Sequence, residues 1–305
     1  MTAIDAPGGR GPGLAIVCDS GQYDRLRHCI HSVRERQKLG PDQLEIYVLD
    51  IGLTPGQLVT LRLADVRVIQ VKPACEAGAV PMPAKFMYKL FADRFVPKAD
   101  PLIVCDNDIE FQDPGVLAEL IDIARSRLFI CEEVYGWLSN VNVQYHVQQQ
   151  DAVASLLLGT DDHLLKRHPI LNAGLWGGPR GGGDRLGALD QFLALARLVT
   201  AGGLRVYSWY WEQIAFCQIL RLGVFDLQIL STEHNWITHW GDNPKARIRH
   251  FCGEGLGYLG KKLRISMPAG YLKVPEPVNR VRERLVHKDF TLDVVTAKPK
   301  RRGAK

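Results

Sequence analysis

The 305-residue chain has no apolar run near the ~20 residues that a membrane-crossing helix needs. Its first residues, MTAIDAPGGRGPG, hold none of the apolar stretch of a secretory signal. There is no Cys-x-x-Cys pair. The seven cysteines, Cys18, Cys29, Cys75, Cys105, Cys131, Cys217 and Cys252, are odd in number and scattered, which speaks for a reducing compartment rather than a disulfide framework. The expected location is the cytoplasm. No internal repeat is visible, and the glycine-rich segment GGPRGGG (177–183) lacks the spacing of a phosphate cradle and reads as a mobile loop. Excess charge is also missing from the body of the chain. The formal net charge is +5, and the last ten residues, TAKPKRRGAK, carry five uncompensated positives in Lys298, Lys300, Arg301, Arg302 and Lys305. The remainder is neutral, which gives no support to a nucleic-acid-binding body. The basic end reads as a solvated tail, with contact to an anionic membrane surface as the alternative.

What is present is hydrophobic material, 46% of the residues, enough for one large α/β core. After a Gly- and Pro-rich lead-in, GLAIVC (13–18) is a short apolar run suited to a buried parallel strand. Tyr23, Leu26, Ile30 and Val33 then recur at helical spacing. LEIYVLD (44–50) predicts a second strand, TPGQLVTLRL a helix with Thr54 as N-cap and Pro55 in its first turn, and VRVIQV (66–71) a third strand. Beyond VPMPAK, a helix carries Phe86, Leu90 and Phe91, and PLIVC (101–105) is a fourth strand. Weaker signals place helices near 115–125, 185–199 and 208–221, with strands at LFICEE and near 224–230. Strands alternating with helices predict an α/β fold class with a mostly parallel central sheet flanked by helices.

In open α/β sheets ligands bind beyond the carboxyl ends of the strands. Acidic residues stand at two such ends: Asp19 after the first strand, Asp106 and Asp108 after the fourth. Two carboxylates two positions apart at a bend can turn toward one point, and oxygen ligands of that kind suit Mg²⁺ or Mn²⁺. An Asp-x-Asp by itself also serves as a turn or a helix cap.

Five stretches in order carry a resemblance: CDSGQY (18–23), MYKLFADRF (87–95) leading to IVCDNDIEF, LNAGLWGG (171–178), WEQ (211–213) and RHFCGEG (249–255). Over roughly residues 14–260 the chain resembles glycosyltransferase family 8, the retaining GT-A group that includes glycogenin and the lipopolysaccharide galactosyl- and glucosyltransferases. The resemblance implies a GT-A fold. It implies Asp106, Asp108 and His250 as ligands of a Mn²⁺ (or Mg²⁺) on the diphosphate of a nucleotide diphosphate sugar, with Asn107 between the two carboxylates. Asp19 and Tyr23 would contact the nucleotide base, although Tyr23 also fits the apolar helix face. Lys89 stands where the family often has arginine, near donor phosphate or sugar. Asn172 would face the donor sugar, with Gly177 and Gly178 letting backbone approach it. Glu212 and Gln213 replace the family's Asp-Gln pair, with Gln213 near the reacting face of the sugar and Glu212 binding its hydroxyls. The family's Lys-Pro-Trp after the histidine segment is not found in HFCGEGLGYLGKK, where Lys261 or Lys262 is the substitute.

On that resemblance the expected organisation is a lead-in at 1–12, a nucleotide-sugar-binding half at 13–130, an acceptor-side half of the same domain at 131–287, and a basic tail at 288–305. The expected activity is transfer of a hexose, from a UDP-sugar before other donors, to a saccharide, lipid-linked or other hydroxyl acceptor. Two other readings compete: a GT-A-like domain that binds nucleotide sugar or glycan without transfer, and a phosphohydrolase using Asp106 as nucleophile and Asp108 as acid/base. Among the tryptophans, Trp137, Trp176, Trp209, Trp211, Trp236 and Trp240, most are expected in packing, with a sugar-stacking platform among them as the alternative.

Overall fold

In a computed structural model, residues 11–71, 88–89, 92–96, 98–133, 171–180, 226–238, 243–251, 280–286 and 291–297 are described. The first apolar run forms β1 (Gly13–Cys18), with every residue buried. A 3-10 turn capped by Asp19 follows, and then α1 (Tyr23–His31), which buries Leu26, Cys29 and Ile30 and runs into a π-turn carrying buried Val33. β2 (Glu45–Asp50) leads to α2 (Pro55–Leu63). Thr54 and Gln57 exchange bonds there in a full capping box, with Pro55 next to the cap, so this helix starts where its sequence says it should. β3 (Val66–Gln70), a short helix α3 (Ala92–Phe95) and β4 (Leu102–Cys105) complete the first half of the main sheet.

β5 (Ile109–Phe111) is separated from β4 by the turn that holds Asp106 and Asp108. α4 (Val116–Ser126) buries Val116, Leu117, Leu120, Ile121 and Ala124 on one face, and β6 (Leu128–Glu132) follows. The later strands are β7 (Leu171–Gly178), β8 (Leu227–Leu230), β9 (Trp236–Ile237), β10 (Ile248–His250), β11 (Arg280–Val286) and β12 (Thr291–Ala297). β11 and β12 pair only with each other, as an antiparallel hairpin, and β12 falls within the segment expected as tail.

The main sheet has the order β3-β2-β1-β4-β7-β6-β8. β3, β2, β1 and β4 run parallel, as do β6 and β8, while β7 is antiparallel to both of its neighbours. The mostly parallel sheet expected from the sequence is therefore present, with one reversed strand in its middle. The reversed strand corrects one expectation: Gly177 and Gly178, read as the start of a mobile loop, are the last two residues of buried β7. Their lack of side chains is a packing requirement, because a Cβ on Gly177 would lie 2.6 Å from the Phe129 ring and 3.0 Å from the Leu102 carbonyl, and one on Gly178 would lie 2.5 Å from Leu128.

Strand order reverses beside β1: the chain proceeds outward through β2 and β3, then returns to place β4 on the other flank of β1. The crevice between the carboxyl ends of β1 and β4 is the topological switch point, where the fold leaves room for a ligand. A second, three-stranded sheet, β5-β10-β9, projects from this same edge. Ser32 ties it down, since its hydroxyl donates to the Cys29 carbonyl at 2.8 Å and accepts from the Phe111 amide at 3.1 Å. The predicted helices at 185–199 and 208–221 lie outside the described residues.

Candidate functional site

The Asp106-Asn107-Asp108 turn carries the chain from β4 in the main sheet to β5 in the second sheet. Backbone bonds fix it at both ends: the Asp106 amide donates to the Gly174 carbonyl on β7 at 2.8 Å, and the Phe251 amide donates to the Asp108 carbonyl at 2.9 Å. Asn107, buried, points the other way. Its amide group donates to the Val17 carbonyl at 3.1 Å and to Gln22 Oε1 at 2.6 Å, so it clamps the turn to the end of β1 while the flanking carboxylates face outward.

The antiparallel register of β5 and β10 sets Ile109 opposite His250, which brings the histidine beside Asp108 from 142 positions further along the chain. His250 Nε2 lies 3.4 Å from Asp106 Oδ2 and 3.2 Å from Asp108 Oδ1, and the ligand atoms of the three residues all fall within 4.8 Å of one another. Six-coordinate ions at roughly 2.1 Å from their ligands hold neighbouring ligands about 3 Å apart. The spacing and the mixed carboxylate and imidazole set therefore fit Mn²⁺ or Mg²⁺. The side chains are 27%, 10% and 3% exposed in the order Asp106, Asp108, His250, so the cluster opens on its Asp106 side.

Each carboxylate also has a cation. Lys89, buried, places Nζ 2.7 Å from Asp106 Oδ1, and Arg25 on α1 places Nη1 3.1 Å from Asp108 Oδ2. Burial by itself would raise the Asp106 pKa, but the Lys89 charge and the His250 contact outweigh it and push it down to about 2. Beneath Asp108, buried Glu110 meets Arg36 Nη2 at 2.8 Å and His28 Nε2 at 3.5 Å. Burial again opposes, and His28 and Arg36 together hold the Glu110 carboxyl below its ordinary range.

β7 supplies the floor. Its ladder to β6 pairs Ile130 with Trp176 but Cys131 with Asn172, so residues 173–175 form a bulge at the sheet edge next to Asp106. Asn172, buried, spends Oδ1 on the Gly174 amide at 2.7 Å. A Cβ at Gly174 would lie 2.3 Å from His250 Cε1 and 2.7 Å from Asn172 Oδ1, so only glycine lets the imidazole reach its place.

Of the residues singled out in the sequence, Lys89, Asp106, Asp108 and His250 are in direct contact, with Asn107 and Asn172 bracing the turn and the bulge around them. Asp19 accepts from the Gln22 amide at 3.1 Å as a turn cap at the end of β1, and the Tyr23 ring packs against the core with its hydroxyl buried and unpartnered. Glu212, Gln213, Lys261 and Lys262 lie outside the described residues, as do Trp137, Trp209, Trp211 and Trp240; Trp176 and Trp236 are buried. Arg25, Gly174 and Glu110 were missed. Gly174 had a signal, since an isolated glycine inside an apolar strand marks a bulge or a close approach. Arg25 and Glu110 had none, each being an unremarkable charge in a local pattern. Among the described residues no helix is long and apolar enough to cross a membrane.

No family model matches the chain, and no curated protein matches it by sequence. Solved structures do. The galactosyltransferase LgtC in complex with donor and acceptor sugar analogues superposes with a TM-score of 0.56 at 15% identity, over 79% of this chain and 87% of that one. An active-site mutant of LgtC gives the same TM-score and identity over 85% and 92%, and the apo bifunctional glycosyltransferase WbbM gives 0.54 at 15% over 83% of this chain and 48% of its own. This chain thus has the GT-A fold of glycosyltransferases, as the resemblance to family 8 implied.

Proposed function

We propose that the chain is a divalent-metal-dependent glycosyltransferase that moves a hexose from a nucleotide diphosphate sugar, a UDP-sugar before others, to a hydroxyl acceptor with retention at the anomeric carbon. The observation that carries this reading is the convergence of Asp106, Asp108 and His250 at the switch point of a GT-A sheet. Breaking the bond between sugar and diphosphate leaves negative charge on the departing group. A divalent ion held by these three side chains would supply a Lewis acid for that charge. Lys89 and His250 outweigh burial and favour the charged form of Asp106, the form an ion would need. Asn107 and the Gly174 carbonyl keep the turn in one conformation, so the carboxylates are oriented before any ligand arrives.

The resemblance assigns the base to Asp19 and Tyr23, the donor sugar to Asn172, the sugar hydroxyls to Glu212 and the reacting face to Gln213. It also assigns acceptor binding, to a saccharide, a lipid-linked sugar or another hydroxyl compound, to the half from 131 to 287. The resemblance also puts Lys89 near the donor phosphate or sugar, and its contact with Asp106 supports a place at the donor site.

The test is nucleotide release from a panel of UDP- and GDP-sugars without acceptor, with Mn²⁺ or with EDTA. Slow release that needs both the ion and Asp108, and is lost in Asp108→Ala, is the expected result and names the donor. Metal-dependent binding without release from any donor would favour the non-catalytic binder, and no binding at all would overturn the reading.

A further inference from the structure

β5 is a three-residue strand that is buried throughout, and its middle residue is an acid. Glu110 spends both of its oxygens inside the protein: Oε1 meets Arg36 Nη2 at 2.8 Å and lies 3.5 Å from His28 Nε2, while Oε2 accepts from Gln112 Nε2 at 2.5 Å. Stability does not call for this, since replacing a buried ion pair by apolar side chains is often neutral or stabilising. What a buried charge supplies is direction, because it is satisfied only by partners at set places. The elements that Glu110 joins to β5 are α1, through His28, and the π-turn, through Arg36. The His28 ring in turn meets the Phe251 ring edge to face, with centroids 6.1 Å apart and planes at 76°. Phe251 directly follows His250, and its amide is the group that bonds the Asp108 carbonyl at 2.9 Å. The contacts that begin at Glu110 thus end on the backbone that carries Asp108 and His250.

We propose that Glu110 and His28 are positioning residues of the candidate metal site: Glu110 seats the His28 ring, the ring holds Phe251, and Phe251 keeps His250 and Asp108 at the spacing an ion needs. The inference rests on the metal-dependent donor-site reading above. The ladder between β5 and β10 decides which residues stand opposite each other, and its last pair is Ile109 with His250. Phe251 is the first residue past that pair, so the ring contact acts where the control of the ladder ends. Side chains that orient metal ligands without touching the metal commonly change affinity by tenfold or more when they are removed.

The experiment titrates Mn²⁺ into the full chain, alone and with UDP or GDP, and reads the free-ion electron paramagnetic resonance signal, after subtracting chelation by the nucleotide measured without protein. Melting of each chain is followed without metal. Glu110→Leu should melt at or above the wild-type temperature, since Arg36 is 41% exposed and can turn back to water. It should bind Mn²⁺ about tenfold more weakly. Glu110→Gln, which keeps the shape and the acceptor for Arg36, should recover most of that affinity. His28→Leu should show the same loss as Glu110→Leu, and the double variant no more than either, because the two act along one path. Affinity that falls only together with melting temperature, or does not fall at all in Glu110→Leu, overturns the inference. Glu110→Gln binding as weakly as Glu110→Leu also overturns it, as the carboxylate would then draw the ion by charge. Losses that add in the double variant overturn the path through His28. Each of these outcomes leaves the donor-site reading standing, whereas a wild type that binds no Mn²⁺ in any condition sinks that reading and this inference together.

Discussion

At the scale of single residues, the site depends as much on an absent side chain as on charged ones. Gly174 lies under the His250 ring, and its missing Cβ is the space that the imidazole fills. Gly174→Ala should therefore leave the main sheet folded, destabilise it by about 1–3 kcal/mol in urea titration, and weaken Mn²⁺ binding by roughly tenfold or more because His250 is displaced. A variant that loses stability while keeping its Mn²⁺ affinity would show that the ring has another way in. Replacing the candidate ligand itself is the sharper test: His250→Ala should lose metal-dependent nucleotide release, beyond the stability lost by emptying a buried site, while the Lys89–Asp106 and Arg25–Asp108 pairs remain.

At the scale of elements, the strand that delivers His250 is anchored away from the candidate metal site. Arg247, one residue before β10, bonds Asp113 Oδ2 at 2.7 Å, Glu119 Oε2 on α4 at 2.7 Å and His234 Nε2 at 3.0 Å. The bond from Arg247 is the main cause that lowers the Glu119 pKa. A carboxyl lowered in the folded state contributes stability above its unfolded pKa of about 4.3, and the contribution fades as pH falls through the lower folded value. Arg247→Ala should cost about 1 kcal/mol at neutral pH, a modest figure because Glu119 is nearly half exposed. The difference from wild type should shrink in melts taken below pH 4. A gap that stays constant with pH would assign the effect to packing.

Elements with strong local signals were legible in the sequence: buried β1 and β4, the Tyr23 face of α1, and α2 with Thr54 and Pro55 at its start. β5, β9 and β10 were not, because two or three residues carry no periodicity and β5 finds its partner β10 more than a hundred positions away. The same cause separates what was found in the site from what was missed. Asp106 and Asp108 follow a run of apolar residues, which is a local pattern. The Arg25 contact exists only once α1 and the turn after β4 are both packed on β1. Gly177 and Gly178 were misread because glycine in a loop and glycine packed under Phe129 or Leu128 look alike in sequence.

At the scale of the whole molecule, the candidate ligands stand where the main sheet passes into the second sheet. Asp106 stands at the end of a main-sheet strand, His250 ends a strand of the second sheet, and an ion between them would bridge the two. Saturation by Mn²⁺ and the donor nucleotide, at about 100 times the dissociation constant, should stabilise the fold by ~2.7 kcal/mol. The thermal midpoint should rise by roughly 5–10 °C. EDTA should abolish the rise, and Asp108→Ala should not show it. A rise that survives EDTA would place the nucleotide's main contacts away from the three ligands.

The placement of Arg25 and Lys89 ahead of Asp106 in the chain also bears on how the protein is made. A ribosome adding about 5–20 residues per second needs roughly 7–28 s to go from Asp108 to His250, 142 positions later. Through that interval the acid pair has been synthesised and the third member of the cluster, His250, has not. Both counter-charges have been, so the pairs of Lys89 with Asp106 and of Arg25 with Asp108 join residues that are all made before the histidine.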